Sequence, residues 1–131
     1  MRPEPYVIHE EKCAIESWED ATRGEVQWRT LLSADRTPTT SMTFGVAEIK
    51  PGRRAALRGH RHAQPEIYYI LSGRGVVTID RQEHFVRAGT AVFIPGHAEH
   101  AFRNTDAKPL RFVYVFPVDS FDKVKYEFTE A

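Results

Sequence analysis

The sequence predicts an all-β fold, and three observations carry that expectation. Short runs rich in β-branched and aromatic residues recur along most of the chain, each closed by glycine, proline or aspartate. In the strongest run Phe112, Tyr114 and Phe116 alternate with Val113 and Val115, the period of a strand that buries one face. Sustained 3.6-residue periodicity is almost missing. Together these predict a closed or double-layered sheet, a sandwich or barrel, in a single domain. A chain of 131 residues is long enough to build a core without disulfides or a structural metal.

The elements follow in order. Residues 1–25 are polar, acidic and irregular. Within them Ser17-Trp18-Glu19-Asp20 reads as a short helical turn with serine as its N-cap, and His9 reads as a surface residue. The first strand expected is Val26 to Leu32. A turn-rich segment with Pro38 inside it leads to a second strand, Met42 to Lys50, and Pro51-Gly52 stops it. The stretch from Gly59 to Gly73 comes next. Gly73-Arg74-Gly75 then turns into Val76 to Ile79, Asp80 to Glu83 forms a hairpin loop, and His84-Phe85-Val86 returns with His84 facing solvent. Ala88-Gly89 leads into Thr90 to Ile94, which Pro95-Gly96 ends. His100 to Asn104 and Leu110 to Phe116 complete the strands, and the tail from Val118, with Phe121, Tyr126 and Phe128, packs back on the body.

Charge and cysteine usage narrow the partners. Eighteen Lys and Arg balance eighteen Asp and Glu, so nothing argues for nucleic acid or an anionic membrane surface. Cys13 is the single cysteine. It excludes an intramolecular disulfide and fits a reducing, cytoplasmic setting. The opening Met1-Arg2-Pro3-Glu4-Pro5 lacks the apolar run of a signal peptide, and no segment is long and apolar enough to be a membrane span.

Chemistry concentrates in Gly59-His60-Arg61-His62-Ala63-Gln64-Pro65-Glu66-Ile67-Tyr68-Tyr69-Ile70-Leu71-Ser72-Gly73. Successive side chains of a strand point to opposite faces, so His60 and His62 look the same way. Glu66, Tyr68 and Ile70 share a face by the same rule. A bend at Ala63-Gln64-Pro65 lets both sets converge on one interior point. Two imidazole nitrogens and one carboxylate oxygen suit a borderline divalent ion such as Fe, Mn, Zn, Ni or Co. The plain alternative is a surface His-x-His beside a routine strand, and His-x-His alone says little.

A second stretch runs from Gly89 through Pro95, Gly96, His97 and His100 to Asn104. Taken with the first, it resembles the two motifs of the cupin superfamily, G-x5-H-x-H-x3,4-E-x6-G and G-x5-P-x-G-x2-H-x3-N. His60, His62, Glu66 and Gly73 fall at the spacing of the first, and Gly89, Pro95, His100 and Asn104 at that of the second. The resemblance implies a double-stranded β-helix (jelly-roll) barrel with one metal held by His60, His62, Glu66 and His100. It also implies two segments, 1–25 for packing or an interface and 26–131 for the barrel with its C-terminal segment, in a homodimer. Two positions depart from the pattern. The opening glycine of the first motif would fall at Arg54, with Gly52 two residues early, so a longer turn is expected before His60. The internal glycine of the second is His97, a residue type that tolerates a left-handed turn better than most, and it reads as an exposed turn residue. Such a shell leaves positions open on an octahedral ion, the arrangement of a catalytic site.

The likeness extends further. Gly45 to Gly52, Pro65-Glu66-Ile67-Tyr68, Ala98-Glu99-His100-Ala101, and Val115 to Phe121 with Val124-Lys125-Tyr126 are similar to the small single-domain dimethylsulfoniopropionate lyases among the cupins. That family implies a β-elimination on a small carboxylate, giving dimethyl sulfide and acrylate. Tyr68 matches its tyrosine base, and Tyr126 matches a second tyrosine near the pocket. Aromatic faces attract an onium group, so Tyr126, Trp28, Phe44 and Phe102 are candidate lining residues, each equally readable as plain core. Three other readings stand beside this one: an Fe(II)-dependent dioxygenase, in which Tyr68 only orients substrate, a non-catalytic module that binds a metal or small ligand, and an isomerase or epimerase acting on a sugar derivative.

Overall fold

The computed structural model describes residues 2–52 and 55–129. Its strands are β1 (Glu16–Asp20), β2 (Gly24–Leu32), β3 (Thr43–Ile49), β4 (Ala56–Arg61), β5 (Glu66–Ser72), β6 (Arg74–Ile79), β7 (Gln82–Arg87), β8 (Ala91–Ile94), β9 (His100–Asn104), β10 (Leu110–Phe116) and β11 (Glu127–Phe128). Two 3₁₀ turns, Glu10–Lys12 and Phe121–Lys123, are its only helical elements among the described residues. Among the described residues no helix is long and apolar enough to cross a membrane.

The strands join, all antiparallel, in the order β7-β6-β9-β4-β2-β3-β10-β5-β8, with β1 added on β2 and β11 on β4. The sheet curls until its two halves face each other. Phe102 of β9 and Phe112 of β10 stand four places apart in that order, yet their rings meet at 4.8 Å. Alternation decides which residues fill the interior. In β10 Leu110, Phe112, Tyr114 and Phe116 are buried, while Arg111, Val113 and Val115 between them are only half-buried. In β5 Glu66, Tyr68 and Ile70 point in and Ile67, Tyr69 and Leu71 point out. Each fully buried large apolar side chain contributes about 1.5–3 kcal/mol, so the strip of Ile49, Ile70, Ile94, Phe102, Phe112 and Phe116 holds the two halves together.

One expectation is corrected. Ser17 to Asp20 is not a helical turn: it lies in β1, which forms a hairpin with β2 in the register Glu16↔Trp28 and Trp18↔Val26. Asp20 closes that hairpin, its carboxylate accepting from the backbone N–H groups of Thr22 and Arg23 and pairing with the Arg23 guanidinium at 2.7 Å. Residues 16 to 20 are extended because their backbone groups pair with β2 across the hairpin, leaving no helical turn for Ser17 to cap. Arg54, the departure in the first motif, lies outside the described residues. His97 has φ +67° on an exposed turn, and His9 and His84 are exposed.

Candidate metal centre and cavity

Three elements converge on one interior point. His60 sits near the end of β4 and His62 just past it, Glu66 opens β5, and His100 opens β9 directly opposite His60. The bend at Ala63-Gln64-Pro65 brings His62 back over Glu66. It is fixed at both ends, because the His97 N–H donates to the His62 carbonyl at 2.8 Å and the His62 ring bonds the Gln64 carbonyl. All four side chains are at most 4% exposed.

The backbone sets the tautomer of every ring. Nδ1 of His60 lies 2.7 Å from the Arg58 carbonyl, Nδ1 of His62 2.9 Å from that of Gln64, and Nδ1 of His100 2.9 Å from that of Ala98. A carbonyl only accepts, so each Nδ1 carries the proton and each Nε2 keeps its lone pair free. Nε2 of His62 and of His100 each face Glu66 Oε1 at 3.2 Å. Nε2 of His60 is buried with no hydrogen-bond partner. Lone pairs and an anionic oxygen pointing at one another across such distances call for a cation between them. Adjacent donors about one ion with bonds of about 2.0–2.2 Å stand about 3 Å apart, close to the spacing found.

Electrostatics agree with that reading. Burial, reinforced by His100, pushes His60 down to about 3, so its ring is neutral and ready to ligate. Burial opposes ionisation of Glu66, but the adjoining His100 and His62 rings outweigh it and the carboxyl lies below its usual range in the metal-free protein, where a proton shared at Nε2 occupies the place a cation would take. The ligating nitrogens of His60, His62 and His100 lie within 4.8 Å of one another. These three residues could hold a metal ion.

Beside the centre lies a narrow cavity, part of it open to solvent, with Glu66 and Tyr68 on one wall. Trp28 and Tyr126 line it, and the Tyr126 ring stands 5.2 Å from the rings of both His60 and His62. Tyr68 is buried, with its ring stacked on Phe102 at 5.3 Å and set edge-on to Phe112 at 4.9 Å. Burial raises the phenols of Tyr68 and Tyr126 well above the usual tyrosine value, and the charge on Glu66 raises them further. Phe102 lies behind Tyr68 in the core. Phe44 sits half-buried on β3 opposite Val115 and Leu32, away from the cavity wall. Asn104 instead fastens a loop, donating to the carbonyls of Ile49 and Lys108. Sequence reasoning missed Trp18, which lines the cavity from β1; its signal was a second tryptophan one hairpin turn before Trp28.

A family model for the cupin domain matches residues 45–116. The chain belongs to the cupin family. Among curated relatives, this cupin is 45% identical over 129 residues to the dimethylsulfoniopropionate lyase DddW of Ruegeria pomeroyi, covering 97% of this chain and 82% of that one. It is 31% identical over 93 residues to an oxalate-binding protein of Thermotoga maritima, covering 71% and 76%. The solved structure of the polyketide cyclase RemF from Streptomyces resistomycificus superposes with a TM-score of 0.79 at 18% identity, covering 98% of this cupin and 87% of that chain. That last likeness concerns the fold alone.

Proposed function

We propose that this cupin is a metal-dependent carbon–sulfur lyase that converts dimethylsulfoniopropionate to dimethyl sulfide and acrylate. The observation that carries the reading is 45% identity to DddW over nearly the whole chain, in a molecule whose three buried imidazoles stand beside a largely aromatic cavity that Glu66 and Tyr126 share with them. His60, His62, His100 and Glu66 hold one divalent transition ion, Fe, Mn, Zn, Ni or Co. Such an ion supplies Lewis acidity toward the substrate carboxylate, stabilising charge that develops when the α-proton leaves.

Tyr68 is the base. It shares the inward face of β5 with Glu66, two residues away, and opens on the same cavity. Its phenol is held up by burial and by Glu66; positive charge on the sulfonium and neutralisation of Glu66 at the centre both act in the opposite direction. The phenolate oxygen takes the α-proton, the C–H pair becomes the new C=C bond, and the C–S pair leaves on sulfur as dimethyl sulfide. Trp28 and Tyr126 flank the substrate. The protein works in the cytoplasm, in keeping with its single free Cys13. It is a homodimer whose contact is the outer face of β5 and β8, where Ile67, Tyr69, Leu71 and Phe93 are exposed.

The test is a headspace assay on protein reconstituted separately with each of the five metals, with and without oxygen. Equal release of dimethyl sulfide in air and under nitrogen is the expected result. No release with any metal overturns the lyase reading. Release or product formation only in air replaces it with an oxygenase.

A further inference from the structure

The segment matched by the family model, 45–116, supplies the histidines, Glu66 and Tyr68. Much of the cavity's aromatic wall comes from outside it: Trp18 on β1, Trp28 on β2, and Phe121 and Tyr126 on the C-terminal segment. These rings touch edge to face. Trp18 lies 5.0 Å from Trp28 and 5.1 Å from Tyr126, and Phe121 lies 6.0 Å from Trp28 and 6.1 Å from Tyr126. Among the described residues that line the cavity there is no Lys or Arg, and Glu66 is the one that carries a formal charge. A ligand's negative end has no partner on this wall. A positive, weakly hydrated end has aromatic rings around it and a carboxylate within the same cavity.

We infer that Trp18 is the specificity-determining residue of this wall, making the cavity select ligands that carry an onium group over neutral ligands of the same shape. The inference rests on the lyase reading for the metal end of the ligand and adds which residue selects the charged far end. The position of Trp18 is built, not incidental. Glu16, two residues before it, is held by the Arg36 guanidinium at 2.6 and 3.0 Å and by the Thr30 hydroxyl at 3.3 Å. Asp20, two residues after it, is held by Arg23. Both ends of β1 are clamped about one indole. Arg23 also lies 5.1 Å from the centre of that ring, at a part-exposed position, so the indole already has a cation on it from the solvent side.

The test uses two unreacting acids that differ only in charge, 3-(trimethylammonio)propanoate and 4,4-dimethylpentanoate. Their binding to the zinc-loaded full-length protein is measured by calorimetry. The expected result is a preference of about tenfold or more for the onium acid, falling to about threefold or less in Trp18→Leu, while affinity for the neutral acid changes little. Trp18→Phe keeps a ring but a weaker one, and is expected to show an intermediate preference if the leucine variant does not fold. Equal affinity for the two acids in the unmodified protein overturns the inference, as does an undiminished preference in a folded Trp18 variant. A protein that shows the preference but releases no dimethyl sulfide loses the lyase reading and keeps this one. A protein that cleaves the sulfonium while binding the two acids equally does the reverse.

Discussion

Each histidine of the centre divides its two nitrogens between separate tasks. Nδ1 is spent on a backbone carbonyl two residues away, and that bond turns Nε2 inward and fixes it as a lone pair. Removing the phenol of Tyr68 should leave this arrangement untouched, because no described hydrogen bond joins it to the rings. Tyr68→Phe is therefore expected to keep full metal content by elemental analysis and to lose about a hundredfold or more in turnover. Retained turnover would remove Tyr68 as the base. The same residues make acid a threat to the metal-free protein. His60 is neutral down to about 3 when folded but takes a proton near 6.5 when unfolded. Between those values the unfolded chain binds the extra proton, so stability is lost as pH falls through that window. Glu66, with its carboxyl also depressed, contributes in the same direction at the acid end. The thermal midpoint of metal-free protein should drop steadily from about pH 7 to about pH 4. A level profile there would mean that His60 protonates without cost in the folded state.

At the level of elements, legibility followed the strength of alternation. The run from Leu110 to Phe116 became β10 with those bounds, large inward side chains alternating there between Pro109 and Pro117, and His100 to Asn104 became β9. β1 offered no such pattern. Trp18 is its only apolar residue, and its pairing depends on the Asp20 turn and on β2, neither visible in a four-residue window. The ligand loops were legible because residue types at fixed spacing specify them, but the contact that holds them is steric. The turn after β8 presses on the bend that carries His62, and a Cβ at Gly96 would lie 2.4 Å from the Ala63 carbonyl oxygen. A backbone atom cannot swing aside as a flexible side chain does. Gly96→Ala should cost about 1–3 kcal/mol in urea unfolding of the metal-free protein and weaken metal binding in a titration, since His62 moves with the bend. Unchanged values in both measurements would show that the two loops part freely.

For the molecule as a whole, curling the sheet determines what its outside must do. Glu66, Tyr68, Val92 and Ile94 turn in toward the centre, so Ile67, Tyr69 and Phe93 turn out, with Ile67 directly across from Phe93 and Tyr69 across from Ala91. Phe93 is 65% exposed and Ile67 and Tyr69 are each 45% exposed. His60, His62 and His100, which could hold a metal ion, were legible because they lie in two short motifs. Of the aromatic wall, Trp28 and Tyr126 could be named from the family likeness, but Trp18, Phe121 and this outer face could not, because they come together only after distant strands meet. The patch carries no charged side chain among those four residues, and the chain is neutral overall. A second copy can lay the same patch on it without bringing like charges together, and the two-fold contact is then self-complementary. Sedimentation should give twice the monomer mass for the unmodified protein. Phe93→Glu would place a carboxylate with no partner in a dry contact, at a cost of several kcal/mol, and should sediment as the monomer while metal content stays unchanged, because Phe93 faces away from the centre. An unmodified protein that sediments as a monomer at high concentration would show that this face has another use.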